Sequence, residues 1–216
     1  MVAERFILGV SMLTSLKREI ALMFLMPKNI YLPLAVYGII YTIFIISNEA
    51  QNSSYFASFI ASFITIFIIS ENTFKQDFDN GYIEKMVCEQ NNLMHYLIGK
   101  YLAITLFVFL PMAIISGLFS GSLNGLNLVT YISALLLMYL TLSCFFNLGN
   151  SISLRRNNSL NALLIIPLLI PFIILVKEIF IDGIFVANIN FLVAYFLFAA
   201  SFINFIIIKV LHIQSK

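Results

Sequence analysis

The sequence predicts an all-α integral membrane protein, with six transmembrane helices and an N-terminal amphipathic helix lying in the interface. Three observations carry that expectation. Hydrophobic residues make up 61% of the 216 and charged residues only 10%, against about 25% charged in a soluble domain. With a mean hydropathy of +1.00, the chain cannot cover itself with polar surface, so the bilayer has to be its solvent. Six apolar runs, 29–47, 54–70, 100–120, 126–147, 160–177 and 189–210, each reach the about 17–25 residues a spanning helix needs. Eleven of the twelve basic residues fall on one side of the bundle those runs define.

Before the first run, Phe6, Val10, Leu13, Ile20 and Phe24 recur at helical spacing, with Arg5, Ser11, Ser15 and Arg18 largely between them. That pattern suits a helix lying in the plane of the interface, ended by Pro27. It is not a cleavable leader, because Lys17 and Arg18 interrupt the apolar pattern and no small-residue cleavage site follows. The second run carries Ala57, Ser58, Ala61, Ser62 and Thr65. Small residues four apart let helix backbones approach, either inside the bundle or at a subunit interface. Gly117, Gly121 and Gly125 straddle the outer end of the third run and read as a flexible helix end and loop. In the fifth run Pro167 and Pro171 share a face; each removes a backbone donor and bends a helix.

Loop charges orient the bundle. Arg5, Lys17, Arg18 and Lys28 precede the first run; Lys75, Lys85 and Lys100 lie in the second loop. Arg155 and Arg156 lie in the fourth loop, and Lys209 and Lys216 near the C-terminus. The loops of the other side hold only Lys177. The positive-inside rule makes the basic side cytoplasmic, and with it both termini and the thirty-residue polar segment 71–100.

Several function classes lack their parts. There is no G-x-x-x-x-G-K-[ST] loop, since Gly99-Lys100-Tyr101 fails both the spacing and the hydroxyl. No run has an ionisable residue near its centre to serve as a proton relay. His95 and His212 both sit at the cytoplasmic boundary, where a histidine is more often a polar anchor than a haem ligand. Cys88 in the loop and Cys144 in an apolar run do not make a structural disulfide. A net charge of +2 argues for no nucleic-acid partner, and Trp is absent.

The polar segment is the place for a soluble partner. Glu71 to Asp79 reads as a helical extension with Phe74 and Phe78 on one face. Asp79-Asn80-Gly81 is a turn signal, and Tyr82 to Val87 reads as a second short helix with Glu84 and Lys85. Charged residues around aromatic anchors suit docking in a groove; a solvated connector is the competing reading.

Two stretches resemble the heme exporter protein B family, the membrane permeases of cytochrome c maturation. The first runs from Glu71 through Phe74, Asp77, Gly81 and Glu84 to Lys100 and on to Pro111; it is similar to the family's acidic E-x-x-F-x-x-D…D-G-x-x-E loop followed by a lysine. The second is Gly149 through Arg155 and Arg156 into the run holding Pro167 and Pro171, similar to the family's basic pair before a twin-proline span. Glu89-Gln90-Asn91-Asn92 stands where members often have a proline-rich stretch, and Asn157 and Asn158 where glycines often follow the basic pair.

The resemblance implies an ABC-2 exporter-like permease, with 1–216 a single membrane domain, 1–28 a cytoplasmic interfacial helix and 71–100 a coupling loop. It implies a cytoplasmic ABC ATPase that hydrolyses ATP for this non-catalytic subunit, and a second permease copy. It also implies other cytochrome c maturation membrane subunits and a haem chaperone, set among membrane lipid. Haem is then handled by the complex, with no cofactor assigned to this chain. Phe74, Asp77, Asp79, Gly81 and Glu84 are the expected ATPase contact, with Phe74 as anchor and the carboxylates pairing with basic residues of the ATPase. The setting implied is a bacterial inner membrane; a mitochondrial inner membrane fits less well. Export of haem, release of a haem-loaded chaperone and export of another lipid-like cargo all remain open at this point.

Overall fold

The computed structural model describes residues 2–47, 53–89, 92–119, 127–154, 161–180 and 185–215, and every regular element among them is helical. Helix α1 (Val2–Leu25) is followed at Pro27 by α2 (Lys28–Ser47), then α3 (Ser53–Thr73). Two short helices, α4 (Lys75–Asp79) and α5 (Tyr82–Cys88), form the polar loop. Helices α6 (Leu93–Ile104) and α7 (Leu110–Phe119) are one rod joined by a π-helical turn at Thr105–Phe109. Then come α8 (Leu128–Ser153), α9 (Asn161–Phe180), and α10 (Phe185–Phe198) joined through a second π turn, Ala199–Ile203, to α11 (Asn204–Gln214).

Five helices among the described residues are long and apolar enough to cross a membrane: Lys28–Ser47, Phe56–Asp79, Leu93–Phe119, Leu128–Ser153 and Asn188–Gln214. The run expected as the fifth of six spans folds as α9, which continues through both Pro167 and Pro171 with their side chains exposed. The third run begins earlier than the sequence pattern placed it. Asn92 caps α6, its side chain accepting from the Met94 amide at 2.9 Å, so residues 93–100, read as loop, are two turns of helix.

Helix α8 is the centre of the bundle. Its residues 141–149 are all buried, and it packs on α3, α7, α9, α10 and α11. The small residues of α3 face inward: Ala57, Ser58, Ala61, Ser62 and Thr65 are all buried. Their close approach is therefore made within the chain, where α3 packs on α2 and α8. A ladder of hydroxyls crosses the same interior, from Tyr37 to Ser58 (3.2 Å), Ser58 to Ser116 (2.7 Å) and Ser116 to Tyr131 (3.5 Å). It links α2, α3, α7 and α8 with polar contacts of the kind that hold helices together where lipid supplies no hydrophobic drive. Gly117 is buried inside α7, and a Cβ there would stand 3.1 Å from Leu128 of α8. It is a close helix crossing, not the flexible end expected of it; Gly121 and Gly125 lie outside the described residues.

At one end of the bundle the chain is tied side to side. Asn150 of α8 donates to the carbonyls of Ser70 and Glu71 at the end of α3. Gln214 of α11 donates to the Ile152 carbonyl at 3.0 Å. Helix α1 packs against α6 at this same end.

Candidate functional site

The site is where α1, α4, α5 and α6 meet. Gly99 of α6 lets the α1 backbone lie directly on it: a Cβ there would be 3.1 Å from the Leu16 nitrogen and 3.2 Å from the Ser15 carbonyl carbon. That crossing places Arg18 and Glu19, one turn further along α1, beside Lys100, the residue after Gly99. Asp77 enters from α4. The Arg18 Nη2 donates to Asp77 Oδ1 at 2.5 Å, and Nη1 to Glu19 Oε1 at 2.5 Å. The Lys100 ammonium donates to Asp77 Oδ2 and, at 2.9 Å, to the Tyr96 hydroxyl. Tyr96 in turn donates to Asp77 Oδ2 at 2.6 Å. Lys100 also lies 3.9 Å from Glu19 Oε2. The Tyr82 ring of α5 sits 3.5 Å beneath the Arg18 guanidinium, a cation–π contact.

Two cations thus face two carboxylates, and the cluster sums to zero. Asp77 is 3% exposed, Glu19 3% and Lys100 8%. Charges this deep persist only when paired and hydrogen-bonded. Burial works against the Arg18 cation, but Asp77 and Glu19 together outweigh it and the Arg18 pKa is raised. Burial pushes the Glu19 carboxyl above its ordinary value, with Lys100 pulling it back only in part.

The five residues expected to form a partner contact divide into two groups. Asp79 and Glu84 are exposed. Gly81 has φ +68° and makes the turn between α4 and α5, accepting a hydrogen bond from the Lys85 amide at 3.0 Å. Phe74 and Asp77 are turned inward. Phe74 is fully buried, its ring 6.5 Å from that of Tyr96, and Asp77 is engaged as described. Neither presents a surface to a partner in this arrangement: Phe74 lies against Tyr96 of α6, and Asp77 is enclosed by Arg18, Tyr96 and Lys100. Arg155 and Arg156 lie outside the described residues.

Arg18, Glu19, Tyr82, Tyr96 and Lys100 were not singled out as site residues from sequence. One signal was present: Tyr96 and Lys100 are four apart on a run of helix-forming apolar residues, hence on one face. Among the described residues no group of three or more His, Cys, Asp or Glu side chains could hold a metal ion. The arrangement is built to hold segments together.

The profile of the family described as CcmB protein matches residues 10–213. The chain belongs to the CcmB protein family. Every residue of the charge cluster falls inside the matched region. A curated relative, Heme exporter protein B from Pseudomonas aeruginosa, is 31% identical over 169 residues, which is 74% of this chain and 76% of that protein. Family membership and the membrane-length helices together make the chain a multi-pass membrane protein and a transporter subunit.

Proposed function

We propose that this chain is the membrane permease subunit of an ABC transporter complex for cytochrome c maturation. In this reading it couples ATP hydrolysis in a separate cytoplasmic subunit to haem export or to release of a haem-loaded chaperone. The name of the Pseudomonas relative supports the haem cargo. The observation that carries the coupling role is the neutral charge cluster. It fixes α4 and α5 to both α1 and α6, so a displacement of the loop cannot occur without moving the helices behind it. Helix α3 leads directly into α4 and the α6–α7 rod follows α5, which gives the motion two routes toward the far side of the membrane.

In this account α9 supplies a sixth span, both termini and the loop face the cytoplasm, and a second permease copy completes the translocation unit. Residues 1–28 form the interfacial segment and 71–100 the coupling loop, with α1 serving as brace as well as surface helix. Asp79 and Glu84 form the outward contact, Gly81 the turn that presents them, and Phe74 and Asp77 the anchor that holds the loop from within. Export of a different lipid-like cargo by the same plan is the competing function; the missing nucleotide-binding loop in this chain fits both.

Reversing the charge at Glu84 tests the contact. Glu84→Lys leaves the cluster untouched and is expected to lower recovery of the ATPase with the tagged chain about tenfold, the effect of losing roughly 1.4 kcal/mol at the contact. Full recovery would remove Glu84 from the interface. Haem and maturation subunits recovered with the wild-type chain support the haem reading; a different co-purifying lipid in their place supports the competing one.

A further inference from the structure

A recess of about 650 Å³ opens beside the charge cluster, bounded by the end of α1, the start of α2, the end of α3 and α4. Its chemistry is divided. Leu22, Met23, Ile68 and Ile69 form an apolar wall. Its floor holds Glu19, Asp77 and Lys100, whose charges are already matched within the cluster. Its rim carries Lys28, Lys75 and Asp79, all exposed. Neither rim lysine has an ion-pair partner among the described residues, so the rim has an excess of one positive charge. Leu32 of α2 also lines the recess and is itself 54% exposed, so the apolar lining reaches the outer surface.

We propose that this recess seats one anionic phospholipid, its phosphate between Lys28 and Lys75 and its first acyl methylenes along Leu22, Met23, Ile68 and Ile69. The inference rests on the permease reading only in taking this end of the bundle as a membrane boundary. A free phosphate ester would satisfy the lysines but leave the apolar wall facing water. An uncharged lipid would fill the wall and leave the lysines without a counter-charge. An amphiphile with an anionic head uses both, and basic pockets between helices at a membrane surface recognise lipid heads in this way. The seated lipid touches the α1–α2 elbow and α4 together, placing it against the brace that holds the coupling loop.

The test is native mass spectrometry of the full chain, with its co-purifying subunits, released from nanodiscs of equal parts phosphatidylglycerol and phosphatidylethanolamine. One phosphatidylglycerol per chain is expected in preference to phosphatidylethanolamine. Lys28→Gln with Lys75→Gln is expected to weaken its retention about 30-fold, which corresponds to about 1 kcal/mol for each lysine near the head group. Lys209→Gln, outside the recess, serves as control and retains lipid as wild type does. Both rim lysines are exposed and have no ion-pair partner among the described residues, and an unchanged melting temperature confirms that the double variant is folded. Three results would overturn the proposal: undiminished retention in the double variant, equal retention of the two lipids by wild type, or displacement of the lipid by glycerol phosphate. ATPase recovery does not enter this readout, so failure here and failure of the coupling reading are separate results.

Discussion

Replacing Asp77 by Asn removes one negative charge from a buried, balanced cluster. The carboxylate is 3% exposed and takes hydrogen bonds from Arg18, Tyr96 and Lys100. Asparagine keeps its acceptor oxygen toward one of the two cations and turns its NH2 group toward the other. The cluster then carries +1, and Lys100, 8% exposed, loses its directly bonded anion and keeps Glu19 at 3.9 Å as its nearest carboxylate. Breaking a buried pair from one side costs about 3–5 kcal/mol. The Arg18 side chain is 28% exposed, so water takes up part of its lost partner and the lower end, about 3 kcal/mol, applies. For a chain of this length that lowers the melting temperature by about 6–12 °C, measured by thermal unfolding in detergent. The companion variant Asp77→Asn/Lys100→Met restores neutrality, leaving Arg18 with Glu19 at 2.5 Å. It is expected to recover at least half of the loss, a coupling typical of residues in one ion-pair network. A melting temperature within about 2 °C of wild type for Asp77→Asn, or a double variant as damaged as the summed singles, would refute the neutral-cluster argument.

Glu19→Gln gives a pH signature. Burial raises the Glu19 carboxyl pKa in the folded chain above its ordinary 4.5, so the folded state binds the extra proton, and wild-type stability from this group is lost as pH rises through that folded value. The variant lacks the group, so wild type should be most favoured over it at pH below 4.5 and lose that advantage as pH rises above it; a difference that is constant with pH contradicts this. Gly81→Ala places a side chain at φ +68° with open space around it, the nearest atom being a Glu84 oxygen at 4.0 Å. Its cost is therefore conformational, about 1–2 kcal/mol, and Gly81→Asn should lose less in the same thermal assay. Gly99→Leu forces α1 off α6, because even a Cβ lies 3.1 Å from the Leu16 backbone. In a Cys88→Ser background, Ser15→Cys should then react with a maleimide many times faster than it does with Gly99 in place.

Much of the architecture follows from short-range chemistry and could be read from the sequence. The break between α4 and α5 rests on Asp79-Asn80-Gly81, where only local backbone conformation is at stake, and Gly81 does take the left-handed conformation. The apolar runs declared their helices for the same reason: in lipid each must satisfy its own backbone. What the sequence concealed depends on contacts between distant segments. Arg18 and Lys17 look alike as charges on an amphipathic helix, yet Arg18 is held over Tyr82 and against Asp77, 59 residues away. In the isolated loop Phe74 reads as an outward anchor and Asp77 as an outward carboxylate; the fold turns Phe74 onto Tyr96 of α6 and pairs Asp77 with Arg18 and Lys100. The sequence pattern starts α6 too late because Lys100 reads as a loop cation; its burial requires the Asp77 and Glu19 charges that the fold brings to it. The stripe of small residues on α3 announced a close helix contact, but only the packing of α2 and α8 identifies the neighbours.

The central claim is that the exposed face of α4 and α5 docks an ATPase while their inner face is locked to α1 and α6. A photo-crosslinking amino acid placed at Glu84, activated in native membranes, tests it most directly, with buried Ile83 as the control position. The account predicts that Glu84 is joined to a soluble subunit carrying a nucleotide-binding loop and that Ile83 gives only crosslinks within the chain. A Glu84 position that captures only lipid, or a partner with no nucleotide-binding loop, contradicts it.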